Sequence, residues 1–305
     1  MERRPVWGGE DMTTKRVWLD TDPAIGVKYR DLDDGLAILL LLSSPAVKLE
    51  GISVNFGNVN VHRGFEVAKD VLEVAGADVP FYKGAASRRE LWRPNPAVEA
   101  LMKTVADNPG EISLLAVAPL TNVATAMMLD ESFSKNLREL VVMGGTLGFR
   151  PFSYFGEFNF HMDAQAASMV TSAPIHKTLI TMDVCTQAVF LEEHLEKIRQ
   201  HDSKVAKYLA KNIPSWLNLN RVVFRKEGFF PWDPVAAAYL IDDSIFDKNP
   251  VTFSVKKDGM RRGKILGLEK VNDFEEKNGK LPVNMPQRLD RMRFMSLLLE
   301  SLLAL

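Results

Sequence analysis

The chain has 305 residues, enough for a sizeable core, and its 46% hydrophobic and 25% charged content is ordinary for a soluble globular protein. With 38 basic and 39 acidic residues the net charge is −1, which leaves no electrostatic footprint of nucleic-acid or membrane binding. A single cysteine, Cys185, excludes an internal disulfide framework and reads as a buried small hydrophobe within LITMDVCT.

Residues 1–15 are polar and aperiodic, which predicts a flexible extension, and they lack the apolar stretch of a secretory signal. The longest apolar run, Leu36 to Leu42, is too short to span a bilayer, so a cytoplasmic protein is expected. Val17-Trp18-Leu19 predicts a first strand, which runs into LDTDPAIGVKYRDLDD and then an apolar helix from Gly35. Ile52 to Val54 reads as a strand ending in Asn55-Phe56-Gly57-Asn58, followed by a helix from His62 to Ala75 and a short strand over Val79 to Tyr82. Ala85 to Pro96, with two prolines, three arginines and Trp92, reads as a loop.

Ile112 to Val117 predicts a buried strand, and Ala118-Pro119-Leu120-Thr121-Asn122 turns into a helix through Leu129. Glu139 to Met143 is another strand, closed by Gly144-Gly145, and Gly148 to Phe158 an aromatic-rich loop. A helix over Asp163 to Thr171, a strand over Thr178 to Met182, and helices near Leu191–Gln200 and Ser203–Asn212 follow. Asp233-Pro234 has the form of an N-cap and a first helical residue. Beyond residue 250 come short charged strands, VTFSVKK and GKILGLEK, then an amphipathic helix over Gln287 to Leu302 with Leu289, Met292, Met295, Leu299 and Leu302 on one face. The β-α-β-α alternation predicts an α/β fold, an open and mostly parallel (mixed) sheet with helices on both faces.

Polar clusters follow the strand ends: Asp20 and Asp22, Asn55 and Asn58, the Val117 turn, Gly144-Gly145, and Asp233 before its helix. In such sheets ligands bind beyond the carboxyl ends of the strands, so these clusters are expected to build one site. Asp20 and Asp22 share a strand face, and Asp33 and Asp34 start the next helix. Four carboxylates in one place repel one another unless a cation is present, and oxygen-only ligands suit a hard ion such as Ca²⁺ or Mg²⁺. Taken singly each residue has a plainer reading: helix cap, turn asparagine, solvated loop acid, core methionine. The five histidines share no spacing and read as structural or exposed.

In order along the chain, Asp20-Thr21-Asp22-Pro23 with Asp33-Asp34, Gly57-Asn58, Pro119-Leu120-Thr121-Asn122, Val141 to Gly145, Glu157-Phe158-Asn159 with Asp163, and Trp232-Asp233-Pro234 resemble the motifs of the inosine–uridine nucleoside hydrolases. The resemblance runs from about residue 17 to the final helix. It implies a single catalytic domain over residues 16–305 that cleaves the N-glycosidic bond of ribonucleosides with a bound Ca²⁺. By the same resemblance Asp22, Asp34, Asp233 and the Val117 carbonyl hold the metal, and Asp22 is the catalytic base toward the attacking water. Asp33, Asn58, Glu157 and Asn159 hold the ribose hydroxyls, and Met143 packs against the sugar. The only partner implied is a small nucleoside, with no nucleic acid or membrane, and relatives commonly form homo-oligomers (dimer or tetramer).

Three departures from the pattern stand out. Gly26 to Leu32 adds seven residues inside the aspartate motif, so Asp31 and Asp33 compete with Asp33 and Asp34 for the register; Gly35 and Ala37 favour the latter. The slot of a loop asparagine falls at Pro151. Trp232 stands where pyrimidine-acting members commonly have a histidine, which resembles the purine-specific branch, with Trp92 as the second plate around the base. Two alternatives remain at this level. One is a nucleoside-binding relative without turnover. The other is a Mg²⁺ phosphatase of the haloacid dehalogenase type, with Asp20 as nucleophile and Asp22 as general acid, which leaves the Glu157 and Asp233 segments unexplained.

Overall fold

The structure is a computed structural model, and it describes residues 14–148, 156–254, 263–270 and 282–305. Among these the strands form one sheet of nine, in the order β3-β2-β1-β4-β5-β6-β9-β7-β8. The strands are β1 (Lys15–Thr21), β2 (Val47–Val54), β3 (Phe81–Lys83), β4 (Ile112–Ala116), β5 (Leu137–Met143), β6 (Lys177–Ile180), β7 (Pro250–Ser254), β8 (Leu266–Lys270) and β9 (Val283–Asn284). β1 to β6 pair in parallel, as does β6 with β9, whereas β7 runs antiparallel to both β8 and β9.

Side chains alternate between two cores, as the strand period requires. Val17, Leu19, Leu115, Val117, Val141 and Met143 enter one core. Trp18, Leu114, Ala116, Leu140 and Val142 enter the other. Burial on both faces is what gives these strands continuous apolar runs. α1 (Asp33–Ser43) is buried from Asp33 to Leu41. A helix apolar all round belongs at the centre of the molecule, and it packs against α11 (Trp232–Ile241).

Local chemistry sets the ends of neighbouring helices. In α2 (Val61–Ala75) the Asn60 side chain accepts from the Arg63 N–H, and Gly76 closes the helix in the left-handed region, at φ 66°. The structure adds α3 (Pro96–Asp107), which the sequence reading passed over; Asn95 caps it and Pro96 holds its first position. α4 (Thr121–Leu129) follows β4, and the helices α5 (Phe133–Asn136), α6 (Phe158–Met162), α7 (Ala164–Ser172), α8 (Met182–Cys185) and α9 (Glu192–Arg199) come next. The expected strand to Met182 stops at Ile180, because Met182 already opens α8.

α10 (Lys204–Val222) runs ten residues beyond its expected end, through Pro214. Proline removes one helical hydrogen bond, and burial of Leu209, Ile213 and Leu217 on one face outweighs that loss. In α12 (Arg291–Leu303) Phe294, Leu298, Leu299 and Leu302 are buried while Met292 is 71% exposed, so the buried face is rotated from the expected one. No helix among the described residues is long and apolar enough to cross a membrane. Of the expected N-terminal extension, residues 1–13 lie outside the described residues and Lys15 already pairs in β1. Most of the aromatic loop, with Pro151, also lies outside them.

Candidate active site

The parallel register brings distant strand ends level: Thr21 pairs with Val54, Asp20 with Ala116, Ala116 with Val142, and Met143 with Ile180. The segments that leave those ends therefore meet at one edge. Asp34 is the hub. Its Oδ1 accepts from the Thr21 hydroxyl at 2.5 Å and the Asp22 N–H at 2.9 Å, and its Oδ2 from the Asn58 amide at 3.0 Å. Asp22 Oδ2 accepts from the Asn58 N–H at 2.5 Å. Asp33 Oδ2 accepts from the Asp233 N–H at 3.2 Å, which joins the first helix to a residue 200 positions away. Carboxylate oxygens of Asp33, Asp34 and Asp233 all lie within 4.8 Å of one another.

All four of these aspartates are buried. Loss of solvent, and then the neighbouring carboxylates, push Asp22, Asp33 and Asp233 well above the usual carboxylate range. Burial raises Asp34 as well, opposed by the hydrogen bonds it accepts. Among the described residues no lysine or arginine pairs with any of them. Buried charge of one sign needs a counter-ion, and Asp22 Oδ1 is buried with no hydrogen-bond partner. The Val117 carbonyl accepts from the Asn159 amide at 3.0 Å. An orphaned carboxylate oxygen and further buried carboxylates are oxygen donors of the kind that fits a hard divalent cation.

In the inserted segment Lys28, Tyr29 and Arg30 are exposed, and Tyr29 takes a left-handed φ of 63°. Asp31 is half-buried; its carboxyl accepts from the Leu32 N–H and hydrogen bonds Asp33. The register question thus has a geometric content: Asp34, the second residue of α1, is bound to the Thr21-Asp22 strand end, and Asp33 faces Asp233.

Glu157 is the N-cap of α6, accepting from the N–H groups of Asn159, Phe160 and Gly145 at 2.6, 2.8 and 2.9 Å. Asn159 donates from its amide to the Met143 carbonyl at 3.3 Å and lies 3.6 Å from the Met143 sulfur. Glu157, Asn159, Met143 and Val117 are therefore one connected group. Trp232 starts α11 next to Asp233, is half-buried, and sits 4.9 Å from the Phe230 ring. The helix begins there rather than at Asp233, whose carboxyl faces the other aspartates instead of capping its own helix. Trp92 is 44% exposed with φ 82°, and Leu91 beside it packs in the core on the other sheet face from the one Trp232 packs against.

Sequence reasoning placed Asp20 among the clustered carboxylates and missed the supporting role that it shares with Asn122, Thr121 and Gly57. Asp20 is fully buried, accepts from the Asn122 amide at 2.8 Å and is pushed up to about 7 by burial. Asn122 also accepts from the Ala85 N–H at 2.9 Å, and Thr121 donates to Asp163 at 2.6 Å. The signal was Pro119-Leu120-Thr121-Asn122: buried polar side chains at a strand-to-helix turn need partners. Gly57 has a sharper role, since a methyl group there would overlap Asp22 Oδ2. Gly57→Ala is expected to displace Asp22 and lower kcat about 10²-fold, in line with the cost of misplacing a reacting group by an ångström. Wild-type kcat in a folded Gly57→Ala protein, checked by circular dichroism, would contradict this geometry.

A family profile described as "Inosine-uridine preferring nucleoside hydrolase" matches residues 17–296. The chain is 26% identical to "Probable uridine nucleosidase 2" of Oryza sativa subsp. japonica, covering 91% of this chain and 90% of that protein. It is 28% identical to "Non-specific ribonucleoside hydrolase RihC" of Salmonella enteritidis PT4, covering 79% and 83%. Its fold superposes on a solved plant nucleoside hydrolase, the PpNRh1 enzyme, with a TM-score of 0.84 and 26% identity, over 96% of this chain and all of the other.

Proposed function

The chain belongs to the inosine-uridine preferring nucleoside hydrolase family, and from that premise we propose a Ca²⁺-dependent ribonucleoside hydrolase that favours purine nucleosides. It is an N-glycosyl hydrolase acting on ribonucleosides. The observation that carries the metal reading is the buried cluster of Asp33, Asp34 and Asp233, without a cationic partner among the described residues, beside an Asp22 Oδ1 that has no donor. Asp22, Asp34, Asp233 and the Val117 carbonyl would hold the ion. When bound, Ca²⁺ supplies the Lewis acidity that makes water easier to deprotonate near neutral pH.

Asp22 has one oxygen tied to the Asn58 N–H and one free, so Oδ1 takes the proton of the attacking water. Asp33 and Asn58 approach the ribose hydroxyls from the aspartate side, Glu157 and Asn159 from the α6 side, and Met143 lies against the sugar between them. As the glycosidic bond breaks, positive charge grows on the ribose, and the surrounding carboxylates stabilise it. The substrate is a small nucleoside, residues 16–305 act as one catalytic unit, and the subunit assembles as a homo-oligomer in the cytoplasm.

Purine preference rests on Trp232. Its indole does not titrate near neutral pH and so cannot protonate a leaving base, but its face stacks on a purine, with Trp92 on the β3–α3 connection as the second plate. The relatives named for uridine or for no single nucleoside favour a second reading, in which pyrimidines react as well. Hydrolysis of inosine, adenosine, guanosine, cytidine and uridine separates the two, and also excludes or reveals a binding protein without turnover. Base stacking is worth ~1–3 kcal/mol, so Trp232→Ala is expected to lower purine kcat/KM about 10- to 100-fold and pyrimidine values less. Uridine as the best substrate, or unchanged purine values in the variant, overturns the preference.

A further inference from the structure

The residues added between Gly26 and Leu32, with Ala24 and Ile25 before them, brace the first turn of α1. Ala24 and Ile25 are buried, and Ile25 packs so close to Gly35 that a methyl group on Gly35 would lie 2.5 Å from the Ile25 Cγ2. Two turns fold the segment back: the Val27 N–H donates to the Ala24 carbonyl at 2.9 Å and the Arg30 N–H to the Val27 carbonyl at 3.2 Å. Gly26, at φ 82°, lies against the Asn212 side chain of α10. The segment then returns to the site through Asp31 and the buried Leu32.

The N-cap residue of α1, Leu32, has no side chain that caps the helix. The first N–H groups of a helix find no partner within it and need other acceptors. Asp31 supplies them: its Oδ1 accepts from the Leu32 N–H at 2.8 Å, and its carboxyl also meets the Asp33 N–H. The same carboxyl hydrogen bonds the Asp33 side chain. From the other direction Asp33 Oδ2 accepts from the Asp233 N–H at 3.2 Å. The Asp33 carboxyl is thus held twice, by the inserted segment and by the start of α11. Asp31 also lies close enough to Asp34 and Asp233 for like charges to repel. Serine or asparagine would cap the helix as well without adding that repulsion, so the contact with Asp33 is what an aspartate contributes here beyond a cap.

We infer that Asp31 is a positioning residue that acts through Asp33, fixing the orientation of that carboxyl toward the sugar, given the ribose-holding role proposed for Asp33. The inserted segment is then part of the active-site scaffold: Ile25 sets the height of the first turn of α1, and Asp31 sets the side chain that the turn presents.

The test compares Asp31→Ala, Asp31→Asn and Asp31→Ser on inosine at saturating Ca²⁺, by kcat/KM and by melting temperature. Alanine removes both the cap and the contact with Asp33, and kcat/KM should fall about 10- to 100-fold, the size of losing a hydrogen bond to a charged group. Asparagine keeps an oxygen for the backbone N–H groups and has an amide N–H for Asp33, so its kcat/KM should stay within about threefold of wild type. Serine caps the backbone but is too short to hold Asp33, so it should melt near wild type and still show the activity loss of alanine. A double-mutant cycle reads the coupling: once Asp33→Ala is in place, adding Asp31→Ala should cost no more than about twofold. Wild-type kcat/KM in Asp31→Ala or Asp31→Ser, or a full Asp31→Ala loss that persists in Asp33→Ala, overturns the positioning role. Asp31→Asn as impaired as Asp31→Ala also overturns it, and makes the residue a source of charge for the metal. Wild-type kcat/KM in Asp33→Ala overturns the ribose-holding role of Asp33 instead.

Discussion

In Asp22→Asn, kcat is expected to fall by about 10² to 10⁴, the range for losing a general base. The asparagine keeps the shape of the side chain and one oxygen to accept from the Asn58 N–H. Its amide then replaces Oδ1, the oxygen left without a partner, and an amide nitrogen cannot take a proton from water. The fold should survive. Asp22 is held high by burial and by Asp34, Asp33 and Asp20, so deleting its charge relieves repulsion in the metal-free protein. The melting temperature of the metal-free variant should therefore equal or exceed that of wild type, while its rise on adding Ca²⁺ shrinks. Asp20→Asn is the control. Asp20 is held by Asn122 behind the site, and its loss should cost less activity. The opposite ranking, with Asp22→Asn active and Asp20→Asn inactive, would place the reactive carboxylate at Asp20.

Exhaustive chelation is expected to abolish hydrolysis, and Ca²⁺ to restore it. Without the ion, Asp22, Asp34 and Asp233 are buried carboxyls whose charged form has no counter-ion and is disfavoured by burial, and water at the site keeps its ordinary high pKa. The same interaction should appear as stability. A ligand at 100 times its Kd adds about 2.7 kcal/mol to the folded state, which for a chain of this size is a rise of several degrees in Tm. Differential scanning calorimetry with and without Ca²⁺ measures that rise, and Mg²⁺ in parallel tests the choice of ion. Full activity in a protein shown by elemental analysis to hold no metal would remove the basis of the proposed mechanism.

Strands were legible because they are local: Val17-Trp18-Leu19 and Leu140 to Met143 are continuous apolar runs, which burial on both sheet faces requires, and the structure divides them residue by residue between the two cores. The helix breaks were less so. Pro214 reads as a stop by its own chemistry, and only the burial of Ile213 and Leu217 keeps α10 going. Met292 fits the apolar stripe of the last helix by spacing yet faces solvent, because the packing partner, not the period, chooses which face is covered.

The site divides in the same way. That acidic and amide residues follow the strand ends, at Asp20-Thr21-Asp22, Gly57-Asn58, Val117 to Asn122 and Asp233, is written in the chain, since parallel strands place such residues on one edge. Which of them touch is not. The Asp233 N–H meeting Asp33, the Asn58 amide on Asp34, and the caps that tie Glu157 to Gly145 depend on the register between segments far apart in sequence. The inserted residues allowed two alignments of Asp31, Asp33 and Asp34, of which Gly35 and Ala37 favoured Asp33-Asp34. The first turn of α1 separated their surroundings, turning Asp34 to the strand end and Asp33 to Asp233. Residue types and strand ends are properties of short stretches, and the sequence carries them. The contacts among buried carboxylates depend on distances of a few ångströms between segments up to 200 residues apart, and only tertiary packing determines those.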